Sequence, residues 1–108
     1  MLLSGGANEL IGNEVAGAQF GASGSDPDGI RVEPFTNGTL LQGNFVHDNQ
    51  DDGIDVRASG TRLQDNRADD NGDFGIDAAA GVTDGGGNTA SGNGNALQCR
   101  NVFCAASP

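Results

Sequence analysis

The chain has 108 residues and a formal charge of −10, from 15 acidic residues against 5 basic ones, all of them Arg. A surface this acidic repels phosphate backbones and anionic bilayers, which excludes nucleic acid as a partner and leaves cations and hydroxyl-rich sugars. Glycine is high at 19, aromatics make up 5%, and Trp and Tyr are absent, so a single bulky core is excluded too.

The opening stretch, Met1-Leu2-Leu3-Ser4-Gly5-Gly6, lacks the basic region and apolar segment of an intact signal peptide. No apolar run approaches the length of a membrane span. Two motifs then recur. The first begins as Gly12-Asn13-Glu14-Val15, with Ala18 where later copies carry a second Asn. The second begins as Asp28-Gly29-Ile30-Arg31-Val32. The first coil is lengthened by an insertion within 18–27, and a shorter one surrounds Pro34-Phe35-Thr36-Asn37. Next come Gly43-Asn44-Phe45-Val46-His47-Asp48-Asn49 and Asp52-Gly53-Ile54-Asp55-Val56. They are followed by Asp65-Asn66-Arg67-Ala68-Asp69-Asp70-Asn71 and Phe74-Gly75-Ile76-Asp77-Ala78. Gly87-Asn88-Thr89-Ala90-Ser91-Gly92-Asn93 is the last copy. Asn44, Asn66 and Asn88 stand 22 residues apart. Leu10, Leu41 and Leu63 form a third band, each just ahead of its Asn.

Each unit holds three short apolar-bearing stretches divided by Gly, Asn and Asp. Ile54 and Val56 alternate with Asp55, as in a strand with one buried face. No segment has helical periodicity, and Gly recurs too often for helices. The expected fold is therefore all-β: a right-handed parallel β-helix, or solenoid, of about four 22-residue coils. The coils span 1–98, with units near 12–42, 43–64, 65–86 and 87–98, and 99–108 forms a C-terminal tail. Equivalent residues then stack at about 4.8 Å. Ile30, Ile54 and Ile76 make one internal column, and Val32, Val56 and Ala78 a second. Val15, Val46, Ala68 and Ala90 make a third. Asn13, Asn44, Asn66 and Asn88, together with Asn49, Asn71 and Asn93, are expected to form structural ladders. Their amides satisfy backbone groups at the bends and tolerate the left-handed region.

These motifs resemble the right-handed parallel β-helix repeat of the pectate-lyase-like superfamily, over about residues 8–95. The resemblance implies the fold and, more weakly, an association with acidic or neutral polysaccharide at an extracellular or cell-surface location. The stretch from Gly85 to Cys104 is similar to the C-terminal close of such proteins. The repeat is already running near Asn8. The chain is thus expected to adjoin upstream coils of a longer parent, or to stack on another protomer.

The resemblance also directs attention to Asp51-Asp52-Gly53-Ile54-Asp55, since polygalacturonases of that superfamily carry a paired aspartate in a similar stretch. The accompanying His-Gly and Arg-x-Lys signatures are missing. Lyases of the superfamily hold Ca²⁺ with carboxylates and use Arg or Lys as base. On that basis Arg31, Asp52, Asp55 and Asp77 are the catalytic candidates. Asp55 and Asp77, stacked on one face, are the Ca²⁺ candidates. The simpler reading is charge pairing across neighbouring strands, Arg31 over Asp55 and Glu33 beside Arg57. His47, the single histidine, reads as a surface residue without a second ligand. Cys99 and Cys104 are expected to form a short disulfide that pins the tail. Two functions remain: a structural or polysaccharide-associated module without catalysis, or a fragment of a polysaccharide lyase, hydrolase or epimerase.

Overall fold

The computed structural model describes residues 1–19 and 27–108. Every strand pair in it is parallel, and none of the described residues is helical. Three strands and three bends make each circuit. The first face stacks β1 (Leu2–Leu3), β4 (Ile30–Val32), β7 (Ile54–Val56), β10 (Ile76–Ala78) and β13 (Cys99–Arg100) in that order. The second stacks β2 (Glu9–Ile11), β5 (Asn37–Gln42), β8 (Gly60–Gln64) and β11 (Thr83–Gly86). The third stacks β3 (Glu14–Ala16), β6 (Phe45–His47), β9 (Arg67–Asp69) and β12 (Thr89–Ser91).

The chain thus winds as a parallel β-solenoid of about 3 turns, not the expected four. The over-count comes from treating 87–98 as a full coil. That unit supplies one strand, β12, and the chain then passes to β13. Of the insertion expected across 18–27, residues 20–26 lie outside the described residues. Among those described, no helix is long and apolar enough to cross a membrane.

The registers reproduce the aliphatic columns. Ile30 pairs with Ile54 and Ile54 with Ile76, while Val32 pairs with Val56 and Val56 with Ala78. Val15, Val46, Ala68 and Ala90 align on the third face, and Leu10, Leu41 and Leu63 on the second. Ile30, Ile54, Ile76, Leu41, Leu63 and Val46 are fully buried. Burying such a side chain contributes roughly 1.5–3 kcal/mol. Because buried aliphatic residues recur from level to level on all three faces, the core is a column and needs no large aromatic. At the first coil the column is half open, with Leu10 and Val15 part-buried and Leu2 and Ile11 exposed.

The residues from Cys99 onward lie across the last strands. Cys99 stacks on Ile76 and closes a disulfide with Cys104. Val102 is buried, Ala105 bridges to Thr89, and Ser107 bonds both Ser91 and Asp69. The tail therefore continues the stacking onto two faces instead of hanging free.

Candidate functional site

Two asparagine ladders form the polar interior. The Oδ1 of Asn66 accepts the backbone N–H of Asn44 at 3.2 Å and its Nδ2 at 3.0 Å. Asn44 offers the same pair of contacts to Asn13, and Asn88 offers it to Asn66. Each buried Nδ2 also donates to a carbonyl of the preceding strand band, that of Leu10, Leu41 or Leu63. The second ladder runs through Asn49, Asn71 and Asn93 and ends on the Gln98 Oε1. Its lower end is Asn49 Oδ1, which accepts the N–H of Ala18.

The left-handed conformation is not carried by these asparagines, contrary to expectation. It falls on the residue before each of them: Gly12, Gly43, Asp65 and Gly87 in one ladder, Asp48, Asp70 and Gly92 in the other. Gly and, less readily, Asp occupy that region. This explains why the motif is Gly/Asp-Asn. The preceding residue makes the bend, and the asparagine is then turned inward. Gly29, Gly53 and Gly75 serve the second ladder differently. A Cβ on Gly53 would meet Asn71 Nδ2 at 2.6 Å and the Gly75 carbonyl oxygen at 2.7 Å. The two sequence motifs are thus one packing unit.

The outward side of the first face carries the candidate residues. Arg31, Asp55 and Asp77 occupy equivalent positions on β4, β7 and β10, as expected. Asp55 takes Arg57 at 3.1 Å, and Asp77 takes both nitrogens of the Arg100 fork at 2.7 Å. Arg31 reaches Glu33 along its own strand at 3.4 Å. An open groove of about 480 Å³ runs over Asp55, Arg57, Asp77, Arg100 and Asn101. Arg57 and Arg100 were not among the sequence candidates. Arg100 arrives there only because β13 stacks on β10.

Asp52 lies elsewhere. It belongs to a third, shorter ladder at the bend before the first face, where the Asp52 N–H donates to Asp28 Oδ1 and the Phe74 N–H to Asp52 Oδ1. Asp28, Asp52 and Asp55 are buried, and one oxygen of each lies within 4.8 Å of the others. Asp51 and Asp73 approach Asp52 in the same way from the outer side. Burial, reinforced by the Asp55 charge, pushes the Asp28 carboxyl up to about 7. Burial pushes Asp52 to about 8, with the Phe74 N–H opposing and the Asp51, Asp28 and Asp55 charges adding. Asp28 was legible only as a repeat of Asp52 one coil earlier; its partnership with Asp55 needed the register.

His47 is not solitary. Its Nδ1 lies 2.5 Å from Asp48 and its Nε2 2.7 Å from Glu14, while its ring stacks on Phe45. Arg67 lies over the same Phe45 ring, 4.9 Å from its centroid. Glu14 comes from β3, the strand below, and no local signal in the sequence foretells that meeting.

Fold and ladders together define a parallel β-solenoid protein. Compared with known proteins, no family model, no curated protein and no solved structure matches the chain. The likeness to pectate-lyase-like β-helices rests on the motifs quoted above.

Proposed function

We propose that this chain is a non-catalytic extracellular β-solenoid module, a rigid structural element whose acidic outer face associates with polysaccharide. The observation that carries the reading is the employment of its carboxylates. Asp77 is held by Arg100, Asp55 by Arg57, Asp69 by Arg67, and Asp52 accepts the Phe74 N–H inside the ladder. A glycosidase needs one acid and one base presented together to the scissile bond, and a lyase needs a base facing the sugar. The groove over Asp77 instead presents closed arginine–carboxylate pairs. Such pairs, with the Asn101 amide beside them, suit contact with hydroxyl-rich or uronate chains without reacting. A disulfide between Cys99 and Cys104 agrees with an oxidising, extracellular setting.

The test is incubation of the oxidised protein with polygalacturonate, alginate and a neutral glucan. Unsaturated uronides and new reducing ends are the readouts, and chain retention is measured by affinity electrophoresis. Retention without bond cleavage is the expected result. Cleavage that disappears in Asp55→Asn or Asp77→Asn would establish the rival reading, a piece of a polysaccharide lyase or hydrolase.

A further inference from the structure

The geometry points to a divalent-cation site, suited to calcium, formed by Asp28, Asp52 and Asp55 at the bend that leads into β4 and β7 of the first face. Three observations converge there. The first is spacing. Two oxygens on opposite sides of a calcium ion at about 2.4 Å are about 4.8 Å apart. One oxygen from each of the three carboxylates falls within 4.8 Å of the others, so a single ion can touch all three.

The second is an oxygen with no partner. Asp28 is 6% exposed, and its Oδ1 accepts the Asp52 N–H. Its Oδ2 is buried without any hydrogen bond. A buried carboxylate oxygen left bare costs free energy, and nature leaves few of them. A cation beside it removes that cost.

The third is charge. Arg57 is paired with Asp55, and Arg31 with Glu33. Arg57 offsets only one of the three carboxylates, so an entering divalent ion displaces protons from the other two as it binds. Asp51 and Asp73, gathered about Asp52, deepen the negative field. Three carboxylate oxygens fill only part of a calcium shell of 6–8, so water completes it. The affinity expected is that of open extracellular sites, with Kd about 10⁻⁴–10⁻³ M. The ion would tie Asp28 of one coil to Asp52 and Asp55 of the next. It would thereby brace the stack between β4 and β7. This site differs from the Asp55–Asp77 pair suggested by the sequence, because Arg100 holds Asp77.

The experiment is calorimetric titration of calcium chloride into chelator-treated, oxidised full chain, with thermal unfolding followed in parallel. Asp28→Asn, Asp52→Asn and Asp77→Asn are compared. Asparagine keeps the acceptor oxygen of the ladder bonds, so the first two variants retain the fold, which circular dichroism checks. The expected result is one ion per chain with a rise in Tm. Binding weakens at least ~10-fold in Asp28→Asn and in Asp52→Asn and is unchanged in Asp77→Asn. Magnesium, with its shorter bonds, binds more weakly. The inference is overturned by the absence of heat and of any Tm rise up to ~10 mM calcium, about tenfold above the expected Kd. Binding untouched by Asp28→Asn and Asp52→Asn, or abolished by Asp77→Asn, overturns it equally. Neither outcome depends on whether polysaccharide is bound or cleaved.

Discussion

Replacing Asn66 with alanine tests the ladder at its centre. The side chain is 1% exposed and makes four hydrogen bonds: two accepted from Asn44, one donated to the Leu41 carbonyl and one to Asn88 Oδ1. At about 1 kcal/mol net for each, the truncation removes about 4 kcal/mol. The buried Asn44 N–H, left without its acceptor, adds to the loss. A domain of this size has only about 5–15 kcal/mol in total. Each kcal/mol lowers Tm by about 4 °C or more at this length, so a fall of roughly 15 °C or more is expected. Urea and thermal unfolding followed by far-ultraviolet circular dichroism measure it, with exposed Arg62→Ala as the control. A change of less than about 1 kcal/mol in Asn66→Ala would refute the claim that the amide column holds the coils together.

Gly53→Ala sets a methyl against the Asn71 amide and the Gly75 carbonyl, and is expected to cost about 1–3 kcal/mol in urea unfolding. Stability equal to wild type would mean the second ladder yields freely. Removing the Cys99–Cys104 disulfide opens a loop with sequence separation 5, whose closure entropy is worth about 2 kcal/mol. Hydrogen exchange should then quicken at Arg100 and Ala105 while Asn66 stays protected; uniform quickening would contradict a local role. The Asp48 and Glu14 contacts raise the His47 pKa above its ordinary 6.5. A raised folded-state value means that the stabilisation is full below 6.5 and is lost as pH rises through the folded value. Proton NMR titration of the imidazole should give a midpoint above 6.5 that falls in Glu14→Gln; a wild-type midpoint at or below 6.5 would disprove the pairing.

The solenoid was readable because its physics is periodic. A residue that must stack on its own counterpart has to recur, so Asn44, Asn66 and Asn88 announced both the ladder and its spacing. The aliphatic columns follow from the same rule, since Ile54 is buried between Ile30 and Ile76. Two details were misread for local reasons. The bend conformation was assigned to the asparagine, whereas the glycine or aspartate before it carries the positive φ. The last motif was counted as a coil although it supplies only β12.

The candidate site was only partly legible, because its contacts do not repeat. Asp52 recurs in the pattern and so reads as architecture. Its neighbour Asp28 has a bare buried oxygen, which no composition or spacing reveals. The partners of Asp77 and His47 likewise come from other coils, Arg100 from β13 and Glu14 from β3. The sequence by itself determined the class of fold, the identity of the stacked columns and the pairing of the two cysteines, since each follows from repetition or from nearness along the chain. The tertiary structure alone decided which carboxylates meet and which arginines hold them, because a charge is placed by the register of neighbouring coils, and a single unrepeated residue carries no mark of that register.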